Sequence, residues 1–174
     1  MFSLYRFPDS QDYGQMRKKN CRPSWIDNAK SYAIKVVRVS GPSPSEKLKT
    51  PENAAAYWRS TIARKRWFDE NKEHLVVLLL STRYNVLGFS LVAIGSMNEC
   101  VAHPREIFRA AVAGGAYAII VVHNHPSGDP SPSSHDLSLT RRLKESAEIL
   151  QIRLLDHVII GKSDYFSFEE VCEA

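Results

Sequence analysis

VVHNHPSGDPSPSSHDL, residues 121–137, is the most informative passage of the chain. It leaves an apolar run, crosses a proline-rich loop and enters the polar start of a helix. His123 and His125 stand two apart where YAIIVVH (117–123) ends. Side chains at i and i+2 leave a strand on the same side, so both imidazoles can face one point. The loop after them combines Gly128 with Pro126, Pro130 and Pro132, a mixture that is stiff yet turns sharply, which suits returning the chain to that point. Asp136 arrives there in the first turn of the next helix. Two imidazoles and one carboxylate are a catalytic zinc set, because the fourth tetrahedral position stays free for water. Zinc lowers the pKa of such a water to roughly 7.

Each part also has a plainer reading. Ser133-x-x-Asp136 is a capping box, in which the hydroxyl caps the helix start and the carboxylate reaches back. Histidine pairs also occur on solvent-facing strand ends. Asp129 and His135 are competing ligands nearby, although His135 should point away from Asp136 on a helix. Spacing alone leaves cap and ligand both open for Asp136.

Outward from this stretch the pattern is regular. Upstream, HLVVLLL (74–80) and VLGFSLVAI (86–94) predict strands joined by STRYN, and a helix follows from Pro104 to Ala116, burying Ile107, Phe108, Ala111 and Val112. Downstream, a helix over Ser133–Leu150 puts Leu139, Leu143, Ala147 and Leu150 on one face, before strands at 152–160 and 165–168. Strands interleaved with helices predict an α/β domain with helices on both faces of a sheet. Nearer the start, 51–67 predicts a helix opened by Pro51, with Ala54, Ala55, Trp58 and Ile62 on its buried stripe. Residues 1–50 differ: a polar, basic segment, one strand at 32–39 expected to add to a sheet edge, and a turn at 41–46. The domain boundary is therefore set near residue 50, with 51–174 as the functional domain.

The chain of 174 residues suffices for one domain with a proper core. No apolar run reaches the roughly 18 residues needed to cross a bilayer, and the first residues lack the pattern of a secretory signal. Three cysteines, Cys21, Cys100 and Cys172, form no CxxC pair, which predicts reduced thiols and a cytoplasmic location. A net charge of +4 is clustered in Arg17-Lys18-Lys19, Arg64-Lys65-Arg66 and Arg141-Arg142. Such clusters read as solvated faces, with weak nucleic-acid binding as the alternative.

His123-x-His125, seven residues, Ser133, two residues, then Asp136 reproduces the H-x-H-x7-S-x2-D signature of the JAMM (MPN-domain) metalloproteases. HNHPSGDPSPS, with HPREIF (103–108) upstream and TRRL and LLDHVIIG downstream, resembles the RadC branch of that family over residues 52–174. The resemblance implies an α-β-α sandwich like that of cytidine deaminases, with a mixed sheet. It implies zinc on His123, His125 and Asp136, a serine (Ser133) beside the bound water, and an upstream glutamate as general base. The matching glutamate is Glu73, although the family's usual glycine-rich continuation is missing here; Glu99 and Glu106 are alternatives, and a solvated strand-start charge is the plainer reading of Glu73. Residues 1–50 show nothing like the helix-hairpin-helix region that many RadC-like proteins carry. The activity implied is hydrolysis of a peptide or isopeptide, with Glu73 moving the proton and Ser133 helping the oxyanion. A DNA-repair-associated or nuclease-type protein and an inactive metal-binding scaffold are the alternatives. His103 and His157 are candidates for groups behind the ligands or facing substrate, His157 reading more simply as a satisfied structural histidine.

Overall fold

The computed structural model describes residues 47–95 and 102–173. The strand expected at 32–39 and the turn at 41–46 lie outside them. The described chain runs through α1 (Pro51–Tyr57), a π-helical turn (Trp58–Ile62), β1 (His74–Leu80), β2 (Val86–Ile94), α2 (Pro104–Ala113), β3 (Ala118–Asn124), α3 (Ser134–Leu150), β4 (Arg153–Ile160), β5 (Tyr165–Ser167) and α4 (Phe168–Glu173). The strands form one sheet in the order β2-β1-β3-β4-β5. β1 is antiparallel to β2 and β3, β3 is parallel to β4, and β4 is antiparallel to β5, so the sheet is mixed.

The two apolar runs without alternation, HLVVLLL and AIIVVHN, become the neighbouring strands β1 and β3, and every residue of both is buried. Burial on two faces explains their unbroken hydrophobicity. Val76, Leu78, Leu80, Ala118, Ile120 and Val122 pack on one face against Ala54, Trp58 and Ile62. Leu75, Val77, Leu79, Ile119 and Val121 pack on the other against Ile107, Phe108, Leu139 and Leu143. This is the expected α-β-α layering. Leu48, wholly buried on the first face, shows that the folded body begins before residue 51.

Several boundaries differ from the sequence reading. The helix expected over 51–67 is α-helical only to Tyr57 and then widens, Ala63 N donating to Trp58 O at 2.9 Å. The wider turn keeps Trp58 and Ile62 both in the core and ends the helix early, so that Phe68 folds back edge-on to Trp58. α2 stops at Ala113, and Val112, expected in the core, is exposed because it lies off the stripe of Ile107, Phe108 and Ala111. Leu150 is also exposed, at the frayed end of α3 next to the left-handed Gln151. Phe168 begins a short helix instead of ending β5.

That last helix is tied to β4 by Asp156, whose buried carboxylate accepts from His157 N (2.7 Å), Glu169 N (3.1 Å) and Ser167 Oγ (2.8 Å). Burial pushes its pKa up to about 6 against these hydrogen bonds. Below pH about 4 the group is protonated in both folded and unfolded chains and contributes no difference. Between pH about 4 and about 6 the unfolded chain ionises while the folded carboxyl stays protonated, so folding is progressively penalised, and the penalty levels off above 6. Wild type should therefore lose about 2–3 kcal/mol relative to Asp156→Asn between pH 4 and pH 7. Urea denaturation of both proteins at the two pH values measures this, and a constant difference would contradict it.

Candidate metal centre

Residue parity on the sheet decides what can meet at the site. His123 shares the face of Ile119 and Val121, and β1 pairs Leu75 with His123, so Glu73 arrives on that same face. α3 packs on this face through Leu139 and Leu143, delivering Asp136 from above. The Nε2 atoms of His123 and His125 stand 3.1 Å apart. Asp136 Oδ1 lies 3.2 Å from His123 Nε2, and Oδ2 lies 3.5 Å from His125 Nε2. Ligand atoms about 2.0–2.1 Å from a tetrahedral zinc stand roughly 3.3 Å from one another. The spacing therefore suits a metal ion.

The proton positions point the same way. His125 Nδ1 is 2.8 Å from the carbonyl oxygen of Asp129, which can only accept, so this nitrogen carries the proton of the neutral ring and Nε2 is the nitrogen left to bind a proton or a metal ion. These ring nitrogens and the carboxylate converge on a point that a shared proton or a metal ion can occupy. The donor set thus fits a metal ion.

Asp136 is cap and ligand candidate together. Its Oδ2 accepts from Ser133 N at 2.8 Å and Ser133 Oγ at 2.6 Å, while its own N–H donates to Ser133 Oγ at 3.2 Å. Oδ1 remains directed at His123. Burial opposes ionisation of this carboxyl, but hydrogen bonds with His123 and His125 hold it well below the usual carboxylate range. His125 is raised by its bond to Asp136, against its burial. Ser133, expected as an oxyanion donor, has its only proton engaged with Asp136; here it orients the carboxylate.

Glu73 is buried rather than solvated, so the reading of a strand-start surface charge does not hold. Its Oε1 is 3.9 Å from His123 Nε2. Burial raises its pKa, partly offset by His123 and His125. A clamp that sequence reading missed holds it there. Asn124, between the two histidines but on the opposite side of β3, accepts from His74 N at 3.0 Å and donates from Nδ2 to Lys72 O at 3.0 Å. These two bonds grip the residues on either side of Glu73. Lys72 O also accepts from His74 Nδ1 at 2.9 Å. The middle residue of the H-x-H motif was the available signal, since a side chain there must face away from the ligands toward the β1 end.

The remaining candidates separate clearly. Asp129 contributes its carbonyl, while its carboxylate accepts from Ser131 N at 2.9 Å. His135 is exposed on α3. Glu106 pairs with Arg105 and Arg109, and Glu99 lies outside the described residues. His103 caps α2 without a side-chain hydrogen bond to it. His157 is wholly buried, its Nε2 2.9 Å from His123 Nδ1 and its Nδ1 2.6 Å from Thr140 Oγ1; burial holds its pKa well below the ordinary histidine value.

The loop carrying Asp129 is pinned to the end of β4: His125 N donates to Ile160 O and Lys162 N to Gly128 O, both at 3.0 Å. A Cβ on Gly161 would lie 2.6 Å from Gly128 O and 2.8 Å from Pro130 Cδ, closer than either neighbour allows. Gly161→Ala should push the loop away, shift the Asp129 carbonyl and weaken metal binding by roughly 10–100-fold, as loss of a ligand's outer partner does. Chelator competition measures it; unchanged affinity would show that the loop's position is immaterial.

The family model described as RadC-like JAB domain matches residues 48–173. A UPF0758 protein of Chlorobaculum parvum is 52% identical over 102 residues, covering 59% of this chain and 46% of that protein. A UPF0758 protein of Desulfitobacterium hafniense is 51% identical over 100 residues, covering 58% of this chain and 44% of its own. The matched stretch is thus less than half the length of these relatives. Among the described residues no helix is long and apolar enough to cross a membrane.

Proposed function

Because the chain belongs to the RadC-like JAB domain family, we propose that it is a zinc-dependent hydrolase of peptide or isopeptide bonds. One observation carries this reading: a His123–His125–Asp136 cluster, with His123 and Asp136 buried and His125 half-buried, and the Glu73 carboxylate 3.9 Å from a ligand nitrogen. The two imidazole Nε2 atoms and the Asp136 carboxylate would hold the metal. When bound, zinc supplies Lewis acidity, which polarises a substrate carbonyl and makes hydroxide accessible near neutral pH. Glu73 takes the proton from the attacking water and returns it to the leaving amine, so its buried, raised-pKa carboxylate is matched to accepting and then releasing that proton. Asn124 keeps Glu73 in register with the histidines. Ser133 donates to Asp136 and so holds the ligand carboxylate in one orientation.

Elemental analysis should find about one zinc per chain, lost in the His123→Ala/His125→Ala double variant. Zinc-loaded protein should cleave members of a peptide and isopeptide library, and the double variant none. Retained zinc in that variant would remove the site, and a loaded protein that cleaves no amide would remove the substrate class.

A further inference from the structure

A metal bound through His123 Nε2 requires that the ring's proton sit on Nδ1, and no backbone carbonyl fixes it there as Asp129 does for His125. We propose that Thr140 and His157 form a positioning relay that fixes His123 in its ligating tautomer; this rests on the metal-site reading above.

The argument is a count of protons. Thr140 Oγ1 has one hydrogen and lies 2.7 Å from the carbonyl oxygen of Asp136 and 2.6 Å from His157 Nδ1. The carbonyl can only accept, so Thr140 donates to it. Donation to the imidazole instead would leave two buried oxygens 2.7 Å apart with only lone pairs between them. His157 Nδ1 therefore carries a hydrogen and donates to Thr140. The His157 ring is wholly buried and stacked on Phe168, with ring centroids 4.9 Å apart, and the cost of burying an unpaired charge keeps it neutral. Its Nε2 is then a bare acceptor, and among the described residues the hydrogen available to it, across 2.9 Å, is on His123 Nδ1. His123 Nε2 is left as a lone pair directed at Asp136 and His125.

The relay thus runs in one direction, His123 to His157 to Thr140 to the Asp136 carbonyl. It starts on one ligand and ends on the backbone of another. Thr140 sits one turn after Asp136 on α3, so the relay also ties the angle of the histidine ring to the turn of helix that carries the carboxylate. His157 is a positioning residue in this arrangement, and Thr140 is what gives it direction.

Thr140→Val keeps the shape and removes the hydroxyl, whereas Thr140→Ser keeps the hydroxyl. Zinc affinity, measured by chelator competition, should fall roughly 10–100-fold in Thr140→Val and recover in Thr140→Ser. Nitrogen-15 spectra of the imidazoles in the metal-free protein should show neutral His123 protonated on Nδ1 in wild type and Thr140→Ser. In Thr140→Val the proton should spread to Nε2. Wild-type His123 protonated on Nε2, or a Thr140→Val protein that binds zinc as tightly as wild type, would overturn the relay. Should Thr140→Val not fold, the wild-type spectrum alone decides. Neither readout involves turnover, so failure to find a substrate leaves this test intact.

Discussion

Asp136→Asn is expected to lose metal affinity by more than the 10–100-fold typical of an outer partner, while α3 stays folded. The two roles of Asp136 separate only in part, since Oδ2 also lies 3.5 Å from His125 Nε2. Oδ2 closes the capping box with Ser133, and Oδ1 stands 3.2 Å from His123 Nε2. An asparagine keeps one oxygen and much of the cap geometry, but removes the negative charge that a divalent ion needs. The helix should therefore lose no more than about 1 kcal/mol, the usual worth of an N-cap. The metal should leave almost completely at micromolar free zinc. Titration with a chromophoric chelator gives the affinity, and circular dichroism of the metal-free proteins gives the helix. Equal zinc content in variant and wild type would mean that Asp136 only caps. A collapse of helix signal together with metal loss would mean that its main task is structural.

Glu73→Gln should lower turnover by about 10²–10⁴-fold with zinc occupancy kept. Glutamine matches the shape of the buried side chain and cannot take a proton. Its neutral amide also tolerates the burial that raises the glutamate's pKa, so the variant should fold at least as well as wild type. The loss should appear in kcat with KM little changed, as expected for a group used in the chemical step rather than in substrate binding. A variant of undiminished kcat would move the base elsewhere. A variant that loses zinc would make Glu73 part of the metal's support.

The ligand set was legible because it is local. His123, His125 and Asp136 fall within one strand–loop–helix passage, where strand periodicity, turn residues and a capping pattern each follow from neighbouring residues. The unbroken apolar runs that became β1 and β3 were legible for the same reason. The cap-or-ligand choice at Asp136 was not, because both patterns use the same residue; only the packing of α3 over β3 brings the capping carboxylate against both histidines.

The amino-acid sequence thus carried the layered α/β plan and, through the family signature, pointed to three converging donors. The tertiary structure alone decided what stands behind and beside them. Glu73, 50 residues from His123, was named from the family resemblance; its burial beside the histidines follows from the antiparallel pairing of β1 with β3, which no local pattern encodes. His157 depended on a bulge. β3 pairs Ile119 with Leu154 and then Ile120 with Asp156, so Leu155 is an extra residue. Simple alternation from Leu154, which packs on the face of Leu139 and Leu143, would aim Asp156 at the site and His157 away. The inserted residue reverses the parity, turns His157 onto His123 and sends Asp156 to cap α4. A one-residue slip exchanges the two faces of a strand, and the sequence carries no mark of where that slip falls.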